Sequence, residues 1–169
     1  MAEIRMRQAM EQDMQTVYAL FREATADMSA KGIDQWDDIY PTPAHLDEDA
    51  SKGELYVGER EGRVVCAVAL NGVCDPQYQN ADWQGLGPFV IAHRLCVSPS
   101  AQGQGVGRGF MQAVEKWAQE HGFRQIRLDS FAPNAQAQRM YQRLGYAIRG
   151  EARWRKGLFY LMEKDVAQG

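Results

Sequence analysis

The chain has few of the features that mark disulfide scaffolds or membrane proteins. Only three of its 169 residues are cysteine, Cys66, Cys74 and Cys96, and no two of them form a C-x-x-C pair. An odd number of unclustered cysteines indicates free thiols in a reducing compartment and no metal site. The longest apolar run, Val64 to Leu70, is far shorter than the roughly 18 residues that a transmembrane helix needs.

Basic residues are too few for a general nucleic-acid binder. The 19 Lys and Arg are outnumbered by 22 Asp and Glu, so the net charge is −3, whereas such binders normally carry a basic excess. The first seven residues carry charges with no apolar segment behind them, so we predict no secretory signal. We therefore expect a cytoplasmic protein that binds neither nucleic acid nor a membrane.

Length and composition are those of an ordinary globular domain. The chain is 45% hydrophobic and 24% charged, and it contains no repeat and no long Pro/Gly/Ser linker. We expect residues 1–169 to form a single domain. The charge is uneven, with 6 basic and 14 acidic residues in 1–61 against 13 basic and 8 acidic in 62–169. This asymmetry indicates either two differently charged ligands or solvated helix faces of different composition.

Hydrophobic periodicity predicts helices and strands in the order of a layered fold. The predicted elements are a helix over 9–30, a helix from Thr42-Pro43, strands over 54–59, 63–70 and 89–97, a helix over 105–121, a strand over 124–131, a helix capped by Asn134, and strands over 146–149 and 157–164. The strand–helix–strand–helix succession in the second half predicts an α/β or α+β fold whose central sheet contains a parallel pair.

Four glycines crowd the start of the helix predicted at 105–121, where each would weaken helix propagation. They lie in the run Gln102-Gly103-Gln104-Gly105-Val106-Gly107-Arg108-Gly109. Glycines let the backbone approach a ligand closely, and the first-turn N–H groups of a helix favour an anion such as pyrophosphate. The GxGxxG dinucleotide motif would need glycine at Arg108 or Phe110, which disfavours a nucleotide-binding oxidoreductase. A flexible loop before an ordinary helix is the alternative.

Two motifs, in order, resemble those of the GNAT N-acetyltransferases. Val97 to Gly107 resembles the family's [Arg/Gln]-x-x-Gly-x-[Gly/Ala] pyrophosphate loop, preceded by its V-x-P strand end. Asn134 to Tyr146 resembles its N-x-x-A-x-x-x-Y-x-x-x-G-[Phe/Tyr] signature. The likeness is close over 88–150 and fades over 31–54 and 73–88. It implies the GNAT fold, a mixed sheet with splayed parallel strands flanked by helices, and transfer of an acetyl group from acetyl-CoA to an amine.

The resemblance also implies which residues hold acetyl-CoA. Main-chain groups at the end of strand 89–97 would pair with the pantetheine arm and place an N–H near the thioester carbonyl, and the glycine loop would hold the pyrophosphate. Each residue has an ordinary structural alternative, such as a buried strand or a helix cap. The implied cofactor-binding residues are Leu95, Cys96, Val97, Gln102, Gly103, Gln104, Gly105, Val106, Gly107, Arg108, Asn134, Ala137 and Tyr141.

Tyr141 is the general acid that the resemblance implies, because the family uses a tyrosine there to protonate the departing CoA thiolate. A tyrosine pKa is near 10, so the hydroxyl holds its proton at neutral pH. The alternative is a core tyrosine on an amphipathic helix. An acyl-cysteine route through Cys96 is disfavoured by the position of Cys96 on a buried strand.

The general base stays open among His93, Asp129 and a water chain. Because strand neighbours alternate, His93 is expected on the same side as Leu95, and some family members use histidine at this position. Asp129 lies on the facing strand, where a carboxylate either accepts the proton or orients a neighbour. Ile91 stands where some relatives carry a catalytic glutamate, so that version of the mechanism is not expected here.

We expect the acceptor site in the divergent segments 31–45 and 73–88 and in the final strands. The predicted substrate-binding residues are Trp36, Asp37, Tyr40, Trp83 and Trp154, with Asp34, Asp38 and Phe89 as further candidates. Core packing and solvation are the ordinary alternatives for these residues. The acceptor is a small-molecule or peptide amine of unspecified identity. A non-catalytic CoA-binding or sensing module is the alternative function, and a homodimer is open because dimers are frequent in this family.

Overall fold

The computed structural model describes residues 3–167, which form seven β-strands and four α-helices. The strands are β1 (Arg5–Gln8), β2 (Leu55–Arg60), β3 (Arg63–Asn71), β4 (Phe89–Val97), β5 (Gln125–Phe131), β6 (Ala147–Trp154) and β7 (Gly157–Asp165). The helices are α1 (Met14–Ala30), α2 (Pro43–Ser51), α3 (Val106–Glu120) and α4 (Ala135–Arg143). Short 3-10 turns cover Glu11–Asp13, Pro76–Asn80 and Pro99–Ala101. None of the helices within 3–167 has the length and apolarity needed to cross a bilayer.

All seven strands belong to one mixed sheet, ordered β1-β2-β3-β4-β5-β7-β6. β4 and β5 are parallel, with Phe89 opposite Gln125 and Ile91 opposite Arg127. The pairs β1–β2, β2–β3, β5–β7 and β6–β7 are antiparallel. A sheet that contains a parallel pair and is flanked by helices confirms the predicted fold class.

The chain divides into two compact units. The first comprises Met1–Leu70 and Arg94–Ala113, and the second comprises Asn71–His93 and Val114–Gly169. β4 and α3 each begin in one unit and end in the other.

Helix α1 supplies much of the core of the first unit. Val17, Leu20 and Phe21 are buried at spacings of three and one, which keeps them on one helical face. They belong to one apolar cluster with Leu46 of α2 and Val57 of β2. Burying a side chain of this size contributes roughly 2 kcal/mol, so this cluster is the main stabilising feature of the unit.

The core of the second unit joins strands to the segment before β4. Tyr78 of the 3-10 turn, Ile91 of β4, Ala152 of β6 and Leu161 of β7 are buried together. Aromatic residues border this cluster, so the segment 73–88 is packed onto the sheet instead of lying loose in solvent.

The helix and strand predictions are confirmed with a few differences. The β2–β3 hairpin turns at Glu61 and Gly62, which both have positive φ, as a two-residue type I′ turn requires. β1 is a strand that the sequence pattern did not predict, because only one of its four residues, Met6, is apolar. β6 runs to Trp154 instead of ending at residue 149, because pairing with β7 extends it.

Candidate active site

Strand β4 contains a residue with a strained backbone. Arg94 has φ of +55°, in the left-handed region that side-chain-bearing residues rarely adopt. Its guanidinium donates from Nε to Oδ2 of Asp49 at 3.0 Å and from Nη2 to Oδ1 at 2.7 Å. Nη1 also donates to the Tyr40 hydroxyl at 2.8 Å. Strained residues persist where their surroundings hold them, and this ion pair fixes the chain just before Leu95.

Asp49 is a buried carboxylate on α2, only 6% exposed. Burial raises the pKa of the Asp49 carboxyl, and the hydrogen bonds from Arg94 oppose that rise. The fork-shaped guanidinium therefore compensates a group that would be costly to bury alone.

The predicted pyrophosphate loop follows β4 and lies in the first unit. Gly103 and Gly105 have φ of +78° and +75°, and no atom outside the neighbouring residues lies within 4 Å of a Cβ placed on Gly103. Residues 103–105 are exposed, and the carbonyl of Gly105 accepts the N–H of Gly109 at 2.9 Å, so α3 starts there. First-turn N–H groups have no partner within their helix, so this exposed turn can bind an anion through its backbone.

Lys31, at the end of α1, brings a cation to this loop. Its ammonium donates to Oε1 of Gln102 at 3.2 Å and pairs with Asp27 at 2.8 Å. Arg108 is exposed on the first turn of α3. These two side chains place positive charge around the loop, which suits a diphosphate ligand.

Residues 95–97 end strand β4 beside this loop. Leu95 and Val97 are half-buried, whereas Cys96 is 2% exposed and its thiol donates to the carbonyl of Leu20 at 3.5 Å. Burial raises the pKa of the Cys96 thiol far above its ordinary value. A thiol that stays protonated is a poor nucleophile, so the chemistry of Cys96 favours direct attack over an acyl-cysteine intermediate.

Helix α4, in the second unit, presents the predicted general acid. Asn134 caps the helix by accepting the N–H of Ala137 at 3.2 Å. One turn further, the buried ring of Tyr141 packs edge-on against Tyr146, with the ring centroids 5.8 Å apart. Burial, and after it the charge of Asp129, raise the pKa of Tyr141 well above its usual value. Its hydroxyl therefore keeps its proton at neutral pH.

Asp129, on β5, is half-buried in the same unit. The hydroxyl of Tyr78 donates to its Oδ2 at 2.7 Å. Because Asp129 also influences the titration of Tyr141, the structure brings two predicted catalytic residues into electrostatic contact. Sequence reasoning did not single out Tyr78, which lies in the divergent segment 73–88.

His93 ends the part of β4 that belongs to the second unit. Its Nε2 lies 2.8 Å from Oδ1 of Asn71, the last residue of β3. A carboxamide oxygen only accepts, so the His93 ring donates from Nε2, and this bond fixes its orientation.

Three of the acceptor-site residues predicted in the first unit, Trp36, Asp37 and Tyr40, have structural contacts. Trp36 is 7% exposed, and its ring lies 5.2 Å from that of Phe21. The Asp37 carboxylate accepts the N–H groups of Ile39 and Tyr40, as in a turn. The Tyr40 hydroxyl accepts a hydrogen bond from Nη1 of Arg94.

The two predicted in the second unit belong to one aromatic cluster. Trp83 and Trp154 have ring centroids 5.7 and 6.5 Å from that of Tyr78. The guanidinium of Arg127 lies 4.6 Å from the Trp83 ring and 4.0 Å from the Phe89 ring. Trp83 and Trp154 therefore surround the tyrosine that bonds Asp129.

Three residues that contact predicted site residues, Lys31, Tyr78 and Arg94, were not predicted from the sequence. Lys31 donates to Gln102, 71 positions away, and Tyr78 donates to Asp129, 51 positions away. No local sequence pattern indicates either contact. A positive φ at arginine has no sequence signal, because the left-handed region is normally taken by glycine or asparagine. Only the Asp75-Pro76 pair, typical of a turn start, hinted at the turn that carries Tyr78.

Comparisons with known proteins agree with this architecture. A structure described as an acetyltransferase of the GNAT family from Streptococcus agalactiae is 23% identical, with a TM-score of 0.86 over 96% of this chain and 95% of that one. PaiA N-acetyltransferase from Thermoplasma acidophilum, solved with coenzyme A, is 15% identical, with a TM-score of 0.71 over 96% and 99% of the two chains. YncA from Salmonella typhimurium, solved with acetyl-CoA, is 17% identical, with a TM-score of 0.66 over 98% and 95%. No curated protein matches the sequence.

These structures share the fold of this chain, and at such low sequence identity the similarity shows only the fold. The family model described as Acetyltransferase (GNAT) family matches residues 14–146, which include both the glycine loop and helix α4. The chain therefore belongs to the GNAT acetyltransferase family.

Proposed function

We propose that the protein is an N-acetyltransferase that moves the acetyl group of acetyl-CoA to a primary amine of a small molecule or peptide. The observation that carries the proposal is the exposed loop at Gly103 and Gly105, whose left-handed glycines and first-turn amides fit a diphosphate. Relatives of this fold have been solved with acetyl-CoA and with coenzyme A. The fit of the loop and membership of the family support the same ligand.

In this proposal, backbone groups do most of the binding. Residues 102–108 hold the pyrophosphate mainly through the N–H groups of 103–108, because the N–H of Gln102 already donates to the carbonyl of Pro99. Lys31 and Arg108 balance its charge. Main-chain groups of residues 95–97 pair with the pantetheine arm as a neighbouring strand would, and one N–H faces the thioester carbonyl, where negative charge develops. Asn134 and Ala137 add contacts from α4.

The transfer itself needs one base and one acid. The acceptor ammonium loses one proton, its nitrogen attacks the thioester carbonyl carbon, and the nitrogen loses a second proton to solvent as the C–N bond forms and the C–S bond breaks. Tyr141 gives its hydroxyl proton to the leaving thiolate and regains one from solvent, so the net release is one proton. The hydroxyl of Tyr141 suits this role because its surroundings keep it protonated.

His93, Asp129 or a water chain takes the first proton. His93 is held by Asn71, and Asp129 is held by Tyr78. The charge of Asp129 acts on Tyr141, which favours Asp129 as the base. The base takes a proton from the attacking nitrogen and the acid gives one to the leaving sulfur, so both must lie near the same thioester.

Each unit contains candidate acceptor contacts. Trp83 and Trp154 flank Tyr78 next to Asp129, which suits a cationic amine, since ammonium groups favour aromatic faces and carboxylates. Trp36, Asp37 and Tyr40 remain candidates from the first unit, although each already has a structural contact.

The proposal also concerns organisation and location. One catalytic domain is supported by a family model that runs through residues of both units. A reducing, cytoplasmic location is supported by three cysteines that form no disulfide within residues 3–167.

The test is loss of the acetyl-CoA thioester in the presence of a panel of amines: amino acids, polyamines, aminoglycosides, and peptides with a free N-terminus or lysine. We expect turnover with at least one class and an N-acetylated product by mass spectrometry. Binding of CoA with no turnover on any class would instead support a non-catalytic CoA-binding or sensing module.

A further inference from the structure

We infer that Tyr78 is a positioning residue whose hydroxyl holds the Asp129 carboxylate in place while that carboxylate takes the proton of the acceptor ammonium. This inference rests on the proposed function and narrows it, since it selects Asp129 as the base. In the step, the ammonium N–H bond breaks, the proton moves to Asp129, and the electron pair stays on the nitrogen that attacks the thioester.

Tyr78 sits in a segment that is fastened on several sides. It lies in the 3-10 turn Pro76–Asn80, which Asp75 caps by accepting the N–H of Gln77 at 2.9 Å. The carbonyl of Tyr78 accepts the indole N–H of Trp83 at 2.8 Å. The side chain is only 4% exposed. The ring therefore has little freedom to move its hydroxyl away from Asp129.

The turn is also clamped to strand β6. Gln77 donates from Nε2 to the carbonyl of Arg153 at 2.5 Å, and its Oε1 accepts the N–H of Arg153 at 2.7 Å. A Cβ on Gly150 would lie 2.7 Å from Cα of Ala81 and 2.9 Å from the carbonyl oxygen of Asn80. Only glycine at position 150 lets the end of the turn approach β6 so closely. This packing fixes the position of the turn that carries Tyr78 relative to strand β6.

Several charged and titratable groups surround the pair. The charge of Asp129 acts on Tyr141 of α4, and Cys74 and Asp75 act electrostatically on Tyr78 from the segment before β4. Arg127 lies two residues before Asp129 on β5, on the same face of the strand, and its guanidinium is placed over Trp83 and Phe89. The residue opposite Asp129 on β7 is the apolar Leu161.

The chemistry of Tyr78 and Asp129 distinguishes the residue that positions the base from the base itself. The proton of the Tyr78 hydroxyl is already donated to Oδ2 of Asp129 at 2.7 Å, and burial, followed by the charge of Asp129, raises the pKa of Tyr78. A hydroxyl donor stabilises the charged form of a carboxylate, so this hydrogen bond favours ionisation of Asp129 and orients its lone pairs. Tyr78 thus positions the base and does not itself transfer a proton.

The experiment compares wild type with Tyr78→Phe, which removes one hydroxyl and keeps the ring in its cluster. Without this donor the Asp129 carboxyl is harder to ionise, so the acidic limb of the kcat/KM profile should move to higher pH by about one unit. Tyr18→Phe is the matched control, since Tyr18 on α1 also donates to an aspartate, Asp47. The control should keep the wild-type profile.

A second readout needs no acceptor. The carboxyl carbon of Asp129, assigned with Asp129→Asn, is followed by 13C NMR as the pH is varied. Its titration midpoint should rise in Tyr78→Phe and stay unchanged in Tyr18→Phe, with circular dichroism confirming the fold. An unchanged midpoint and an unchanged profile in Tyr78→Phe would overturn the inference while leaving acetyl transfer intact. Absence of turnover in wild type would instead remove the proposed function, with the hydrogen bond still tested by the titration.

Discussion

At the residue scale, Tyr141 joins a buried ring to a hydroxyl that its surroundings keep protonated. The same burial that raises its pKa also fixes its position on α4, next to Tyr146. A general acid needs both properties, because a misplaced or ionised phenol cannot protonate a leaving thiolate.

We predict that Tyr141→Phe lowers kcat at least about tenfold and leaves CoA affinity nearly unchanged, since it removes only the hydroxyl that donates the proton and keeps the ring. Steady-state kinetics and calorimetry measure the two effects. Tyr146→Phe is the control: it loses a hydrogen bond to Glu115 but keeps its ring against Tyr141, and the family signature accepts Phe at this position. A wild-type kcat in Tyr141→Phe would exclude this tyrosine from the reaction.

Single residues were predictable where a short motif specified them. Asn134 and Tyr141 stand in one signature, and the predicted cap of α4 by Asn134 is confirmed. Arg94 was not predictable, because its positive φ depends on Asp49, 45 positions away. The expected side of His93 assumed a regular alternation along β4, which the irregular backbone at Arg94 interrupts.

At the element scale, the loop before α3 depends on backbone conformation. We predict that Gly103→Ala weakens CoA binding about tenfold or more, because a Cβ favours moving φ out of the left-handed region and so moves the amides. The control is Gly62→Ala in the β2–β3 hairpin. Gly62 has φ of +79°, close to the +78° of Gly103, and equally open space around its Cβ.

Both variants should lose about 1 kcal/mol of unfolding free energy, the cost of a left-handed alanine. Only Gly103→Ala should lose CoA affinity in calorimetric titrations. Equal affinity in the two variants would mean that the loop does not hold the ligand.

Strand β4 keeps its irregular backbone through the ion pair between Arg94 and Asp49. We predict that Arg94→Met lowers the unfolding free energy by about 3 kcal/mol, because it leaves a buried carboxylate without its partner. Adding Asp49→Asn should recover part of the loss, since no uncompensated charge remains. Urea denaturation at neutral pH measures both changes. A loss below about 1 kcal/mol for Arg94→Met would show that the pair is not what stabilises this strand.

Elements with local signals were predicted well, and elements that depend on partners were not. The stripe of α1, the cap of α2 at Thr42 and the hairpin at Glu61 and Gly62 all follow from nearby residues. The second half of β6 forms a hairpin with β7 in which Trp154 pairs with Gly157, whereas β1 is a polar segment that becomes a strand because the distant β2 pairs with it. Pairing across such distances leaves no period in the sequence.

At the scale of the whole molecule, the reactivity of the three thiols tests which cysteines are buried in the core. Cys66 and Cys96 are buried and Cys74 is exposed, and burial raises the pKa of Cys66 to about 12. We predict that one thiol of the native chain reacts readily with dithionitrobenzoate and all three react after denaturation. Cys74→Ser should abolish the native reaction. Rapid modification of a second thiol would contradict the described core.

The overall architecture and the family could be predicted from the sequence, because two spaced motifs and an alternation of strands and helices are local patterns. The identity of the acceptor could not be predicted. Segment 73–88 matches no motif, and its seating depends on Gly150 and on contacts of Gln77 with β6 that only the folded chain reveals.

The most direct test of the account is calorimetric titration of coenzyme A into the full chain. We predict saturable binding of one coenzyme A per chain, with much weaker binding of pantetheine, which lacks the diphosphate that residues 102–108 are proposed to hold. No heat with coenzyme A at millimolar concentration, or equal affinity for pantetheine, would contradict it.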